Sequence, residues 1–419
     1  MIRFYLSICT CFVVTFTSTF SVAEHHGEAD SGTDGSMLPV SLEAEYPQPQ
    51  WQVKNPAELG VTEEKVRRLF DLSFADSATQ GVVLIKDGFL IGERYAEGFD
   101  KSSYGTSWSM AKSFYASLVG ISIDRGEINS LDDKVASYLD YFGDQRAEIS
   151  IRDLLDMTSG LEMPDHEHEN MFFSSDHLAY ARAVGVEKTA GEKFEYNNVN
   201  SMLLAEILEE ATGQKADVLL KERVFDKIGL TDVTLWQDSV GNPLTYCCVD
   251  TTARQYSRFG LLFARSGNWN GEQIISEDYV NQTFSKVWDG LESSTIEQDR
   301  GYSLHWWISR HDEEAVIFNA SGKFGQYVFV DRENDIVFTR ITKYHSTGGS
   351  KQDWGALKYV NWFGTVNFRI ALAGILDSMG IIKIRGDIAT PVTFEDGTSK
   401  EFFTNYSTIV DALIDISQP

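Results

Sequence analysis

The chain is poor in cysteine, poor in positive charge and without an uninterrupted apolar run of membrane length. Only 4 of its 419 residues are cysteine. Cys9 and Cys11 fall in the N-terminal apolar stretch, and Cys247 and Cys248 are adjacent. Neighbours in sequence rarely meet disulfide geometry, so no disulfide framework or cysteine zinc site follows. Cys247 and Cys248 read as small core residues. Lysine and arginine number 36 against 62 acidic residues, a formal net charge of -26. An excess of this size repels nucleic acid and anionic membranes. The most apolar internal segment, 354–380, carries Lys358, Asn361, Asn367, Arg369 and Asp377. These polar groups argue against a membrane span and for a buried helix or helix pair.

Several chemical motifs are also missing. There is no Gly-x-Ser-x-Gly elbow, no P-loop and no Gly-x-Gly-x-x-Gly. The acidic run 164–170 contains His166 and His168, but not the i,i+4 spacing of a helical zinc pair. It reads as a solvated loop. No metal and no organic cofactor is expected.

What is present suffices for a large core: 42% of the residues are hydrophobic and 12% aromatic. Residues 1–23 have the form of a secretory signal. Arg3 supplies the positive start, residues 4–20 the apolar stretch, and Ser21-Val22-Ala23 the small-x-small site before Glu24. Residues 24–50 are polar and aperiodic, a disordered leader. The expected location is therefore outside the cytoplasm of a bacterium, periplasmic or secreted. An ordered domain is expected over 51–345. A C-terminal part, 346–419, adds the apolar segment and an amphipathic helix over 406–416 that packs on a sheet.

Helical spacing appears at 62–72, 109–123, 149–155, 200–210 and 253–265. Strand-like runs come at 81–85 and 89–95, split by Lys86-Asp87-Gly88, a hairpin signal. They return at 302–308, 315–318, 327–330 and 336–341. Strands at both ends with helices between them predict an α+β fold: one antiparallel sheet flanked by helices, with a large helical insertion. Of the Trp306-Trp307 pair, Trp307 is the expected core residue.

Three short motifs carry chemistry. Ser109 and Lys112 stand three apart, hence on one helix face. A serine hydroxyl needs a neighbour to take its proton, and a desolvated lysine can be that neighbour. Tyr196-Asn197-Asn198 follows, then Ala320-Ser321-Gly322-Lys323-Phe324-Gly325-Gln326. Taken singly, each has a bland reading: Ser109 a helix-start serine, Lys112 a solvated charge, Tyr196 a core ring, Asn198 a cap.

Together and in this order the motifs resemble the serine β-lactamase and penicillin-binding-protein superfamily. The flavour is that of its class C and esterase-like branch, and within it the 6-aminohexanoate-dimer hydrolase-like group, where Gly-x-x-Gly-Gln follows the third motif. Two supporting phrases, 151–161 and 252–260, look like the same branch. The resemblance implies a β-lactamase/transpeptidase-like fold and a small-molecule amide or ester substrate. It implies an acyl-enzyme on Ser109, with Lys112 and Tyr196 as general acid and base. A phenol beside an ammonium gives up its proton more readily, which suits that role. Asn198, Ser321, Gly322 and Lys323 would bind substrate. The backbone N–H groups of Ser109 and Lys323 would form an oxyanion hole, the first helped by its place in a helix's first turn.

One position departs from the pattern. Ala320 stands where β-lactamases carry a cationic lysine that meets the substrate carboxylate. This points away from β-lactams. A β-lactamase or D-alanyl-D-alanine carboxypeptidase remains an alternative, as does a non-catalytic wall- or peptide-binding protein that keeps the fold. Oligomeric state is left open.

Overall fold

An Asp-Gly pair starts the sheet. Asp87 (φ 52°) and Gly88 (φ 79°) both take the left-handed backbone that a two-residue hairpin demands. They join Thr79–Lys86 (β1) to Phe89–Tyr95 (β2). The computed structural model describes residues 46–47, 49–163, 167–172, 174–285, 301–311, 316–343, 379 and 400–418. The expected signal segment, nearly all of 24–50, and 354–380 apart from Met379 lie outside those residues.

A helix precedes the hairpin: Glu63–Phe74 (α1), capped by the Thr62 side chain on the Lys65 N–H. After the hairpin comes Tyr104–Thr106 (β3), then the helices. These are Ala111–Asp124 (α2), Ile151–Leu155 (α3), Glu167–Phe172 (α4), His177–Arg182 (α5), Asn198–Met202 (α6), Leu204–Thr212 (α7) and Ala216–Leu220 (α8). Val249–Thr252 (β5) pairs on one side with β3 and on the other with Thr234–Leu235 (β4) in a small sheet, order β3-β5-β4. Ala253–Ala264 (α9) follows. Then come a short hairpin, Asn268–Trp269 (β6) with Glu272–Gln273 (β7), and Glu277–Thr283 (α10).

The chain then returns to the main sheet through Gly301–Ser303 (β8), Trp306–His311 (β9), Val316–Gly322 (β10), Gln326–Asp331 (β11) and Ile336–Thr342 (β12). The sheet is antiparallel throughout, with order β2-β1-β12-β11-β10-β9-β8. Pairing β1 with β12 joins the early strands to the late ones. The architecture is the α+β, β-lactamase/transpeptidase-like fold.

Alternation along the strands sorts side chains into two cores. Val83, Ile85, Phe318, Val328 and Val330 face the α2 and α9 side. Val82, Leu84, Ile317, Tyr327 and Phe329 face α1 and the last helix, Lys400–Ser417 (α11). That helix buries Ile409, Leu413 and Ile416 against the sheet. A fully buried Leu or Ile side chain contributes about 1.5–3 kcal/mol. Across the sheet, α9 comes so close that a Cβ on Gly260 would lie 2.5 Å from Val337 Cγ1.

Three local expectations are corrected. Residues 302–308 are two strands, because Leu304 (φ 43°) and His305 (φ 64°) form a turn with neither Gly nor Asn to announce it. Residues 200–210 fall in two helices, α6 and α7, separated at Leu203. Part of the supposed loop 164–170 is helical, as α4.

Candidate active site

The Ser-x-x-Lys motif straddles a change of helix type. Trp108–Met110 is a 3-10 turn and α2 begins at Ala111. The turn is fastened in front: the Ser107 N–H donates to Val249 O (2.8 Å), and the Val249 N–H donates to Ser107 Oγ (2.8 Å). Behind it, the Met110 N–H donates to Ser107 O at 3.1 Å. Trp108, between these anchors, is held at φ 47°. Ser109 is thus presented half-buried at the mouth of an otherwise buried helix.

Lys112 is 1% exposed. Its Nζ donates to Ser109 Oγ (3.1 Å), Asn198 Oδ1 (2.7 Å) and the Tyr246 carbonyl (2.8 Å). A buried charge this deep needs such partners. The Tyr196 ring lies 5.0 Å from the same nitrogen, measured to the centroid. The first two motifs therefore meet on one ammonium.

The Tyr-x-Asn motif is positioned by the phrase 151–161. Asn197 caps α6 through its side chain on the Val199 N–H. Its own N–H reaches the Met157 sulfur at 3.5 Å, and the Glu195 N–H donates to Met157 O at 2.8 Å. Ser159 Oγ donates to Asn200 Oδ1 at 2.6 Å. The Tyr196 ring stacks on Trp307 (5.6 Å, 22°) and meets Tyr302 edge-on (6.1 Å, 88°). The order expected for the tryptophan pair is thus reversed: Trp306 is the deeper core residue, and Trp307 supports Tyr196. The β8–β9 hairpin sets their alternation, and the sequence carries no sign of that hairpin.

The third motif reaches the nucleophile through Gly322. A Cβ there would stand 2.1 Å from Ser107 O, so only glycine lets the end of β10 approach this turn. Ala320 shares the face of Phe318 and Gly322 and is 0% exposed. The position that carries a cation in β-lactamases is here a sealed methyl. Ser321, between Ala320 and Gly322 in β10, alternates to the other face of the strand. Lys323 is exposed and lies in the turn after β10, not in a strand. Its Nζ sits 5.2 Å over the Phe324 ring.

That turn has its own scaffold. Gly325 (φ 86°) rests against Arg340, whose guanidinium donates to Thr79 Oγ1 (3.0 Å) and Asp76 Oδ2 (2.6 Å). The Gln326 amide pairs with Thr342 through both its ends. The Gly-x-x-Gly-Gln pattern is therefore a device for holding residues 323–325 against the sheet.

Sequence reasoning missed three contributors. The Tyr246 carbonyl carries no motif, because any residue can offer one. Its segment adjoins Cys247 and Cys248, both buried as small core residues. The Tyr246 phenol is paired with His177 Nδ1 at 2.8 Å, and burial pushes the His177 imidazole down to about 4. His305 contacts Ser201 Oγ and the Tyr302 phenol at 3.0 and 3.2 Å. Burial and the nearby Lys112 charge hold it well below the usual histidine range. Among the described residues no group of three or more His, Cys, Asp or Glu could hold a metal ion.

Residues 77–360 match the family model described as Beta-lactamase. The chain belongs to the beta-lactamase family. The matched span contains Ser109, Lys112, Tyr196 and Gly322, and this family member is a serine hydrolase. It is 22% identical over 305 residues to the 6-aminohexanoate-dimer hydrolase of Paenarthrobacter ureafaciens, covering 66% of this chain and 76% of that protein. It is 30% identical over 175 residues to the D-aminopeptidase of Brucella anthropi, covering 38% of this chain and 33% of that one. A solved Bacillus anthracis structure, provisionally assigned as a 6-aminohexanoate-dimer hydrolase, aligns with TM-score 0.60 at 20% identity, covering 78% of this chain and 88% of that one. That last likeness speaks for the fold. No described helix is long and apolar enough to cross a membrane.

Proposed function

We propose that this beta-lactamase family member cleaves a small amide or ester through an acyl-enzyme on Ser109. The observation that carries the reading is the Lys112 Nζ, 3.1 Å from Ser109 Oγ inside a wall that leaves the lysine 1% exposed. Ser109 Oγ bonds to the substrate carbonyl carbon and its proton passes to the Lys112–Tyr196 pair. The carbonyl oxygen becomes an oxyanion held by the Ser109 and Lys323 N–H groups. As the tetrahedral centre collapses, the bond to the leaving amine or alkoxide breaks, and the pair returns a proton to it. Water then attacks the acyl carbon and gives a proton to the same pair; the bond to Ser109 Oγ breaks, the pair returns the proton to that oxygen, and the carboxylic acid leaves.

The buried Ala320 supports neutral substrates over β-lactams. Nothing at that position can meet a substrate carboxylate with a charge. The names of the amide-cleaving relatives agree with a linear amide. The form of residues 1–23 supports export to the periplasm or medium.

A panel of p-nitrophenyl esters, linear amides and the chromogenic β-lactam nitrocefin tests the reading. Ester or amide turnover that Ser109→Ala abolishes, with nitrocefin far slower, is expected. Nitrocefin as the fastest substrate would contradict the substrate class. A panel wholly unhydrolysed by the folded protein would contradict catalysis.

A further inference from the structure

Two bulky residues sit in backbone conformations that favour glycine, and both flank the proposed oxyanion donors. Trp108 (φ 47°) immediately precedes Ser109, and Phe324 (φ 68°) immediately follows Lys323. Glycine would adopt either conformation without strain, whereas an aromatic residue stores strain there. Their rings touch, edge to face, with centroids 5.3 Å apart and planes at 84°. This is the favoured geometry for a pair of aromatic quadrupoles. With Ala78 the two rings form a small cluster, and Trp108 also packs against the main core on the α2 and α9 side. Phe172 of α4 lies on Trp108 as well, at 5.9 Å.

The surrounding anchors leave these residues as the pivots of their turns. Ser107 is tied to Val249 before Trp108, and Met110 is tied to Ser107 after it. On the other side, Gly322 pairs with Gln326 and Gly325 rests on Arg340. The backbone between each set of anchors contains the donor and the strained aromatic. A shift at either aromatic would swing the neighbouring N–H. Trp108 Nε1 is buried and finds no hydrogen-bond partner among the described residues. Polar satisfaction therefore does not explain why the indole stands here; packing against Phe324 and Phe172 does.

We infer that the Trp108–Phe324 contact is an aromatic brace that sets the spacing of the two oxyanion-hole amides. This rests on the reading of Ser109 and Lys323 as the donors. Trp108 and Phe324 are then positioning residues: they act through the backbone N–H groups beside them. Their removal should raise the barrier to chemistry and leave ground-state binding nearly unchanged, because an oxyanion hole is complementary to the transition state.

The test is a double-mutant cycle of Trp108→Gly and Phe324→Gly on p-nitrophenyl ester hydrolysis, with Trp108→Phe as the conservative variant. Glycine relieves the backbone strain, so melting temperature serves as an independent check on folding. Each single glycine variant is expected to lower kcat about 10- to 100-fold with KM nearly constant, since a misplacement of about 1 Å can cost about 100-fold. The double variant should be little worse than the worse single, because one contact is lost once. Affinity for a boronic acid, which forms a tetrahedral adduct on a nucleophilic serine, should fall in parallel with kcat, and Trp108→Phe should recover most of both. Additive losses, or kcat falling with boronate affinity unchanged, would overturn the brace. Full ester hydrolysis by Ser109→Ala would instead overturn the underlying assignment of the site, so the two failures are distinguishable.

Discussion

Alanine at position 322 should slow the chemistry far more than it weakens the fold. The added Cβ would lie 2.1 Å from Ser107 O and 3.0 Å from Gln326 Cβ. A backbone carbonyl tied into the nucleophile turn cannot rotate away as a side-chain tip can. To regain ordinary van der Waals separation, the end of β10 and the Ser107–Ser109 turn must part by about 1 Å, a misplacement that typically costs about 100-fold in rate. Overpacking of this kind costs about 1–3 kcal/mol of stability. Gly267→Ala is a matched control. Its Cβ would also meet a carbonyl at 2.1 Å, that of Ile275, and Gly267 sits at φ 79°, beside the β6–β7 hairpin. That variant should lose at least as much melting temperature and keep kcat. Ester hydrolysis and thermal unfolding of both variants, measured together, separate the effects. Equal kcat in Gly322→Ala and the parent, or equal losses of kcat in Gly322→Ala and Gly267→Ala, would refute the claim that Gly322 gates the approach of β10 to Ser109.

Other outcomes follow from the same geometry. Lys112→Ala should lower kcat by about 10²–10⁴-fold, the range for a lost acid–base group, in steady-state ester assays. Trp307→Leu removes the stack under Tyr196, worth about 0.5–1.5 kcal/mol, and should lower kcat a few-fold; Trp306→Leu should act on melting temperature instead, since Trp306 is 1% exposed in the core. Asp156 is buried, and burial raises its carboxyl from 3.8 to about 6 despite a hydrogen bond from the Leu304 N–H. The folded state thus binds the proton more tightly than the unfolded chain. Stability is highest below pH 4 with respect to this group and is lost as pH rises towards 6, by up to about 3 kcal/mol. Asp156→Asn should therefore raise the melting temperature at pH 7 and leave it unchanged at pH 4. An unchanged pH profile in that variant would contradict the assignment.

Much of the fold was legible because strand and helix periods are explicit where one face is buried. The Asp87-Gly88 hairpin and the late strands are examples. The β8–β9 turn was not, since Leu304 and His305 reach the left-handed region without Gly or Asn. That one omission also inverted the roles of Trp306 and Trp307. In the site, Ser109, Lys112, Tyr196, Asn198 and Gly322 were legible as motif residues, and the structure gathers them around one ammonium and one close backbone approach. The Tyr246 carbonyl and the Trp108–Phe324 contact were not, because a main-chain oxygen has no residue identity and a tertiary ring contact leaves no local pattern. Lys323 falls between the expected strand runs 315–318 and 327–330, where Phe324 and Gly325, both at positive φ, turn the chain.

The central claim is that Ser109 carries the acyl group. Intact-mass spectrometry of the protein treated with a fluorophosphonate probe, followed by peptide mapping, tests it most directly. One covalent adduct is expected, on the peptide containing Ser109, and none in Ser109→Ala. A folded protein that takes no adduct, or an adduct that survives Ser109→Ala, would contradict the account.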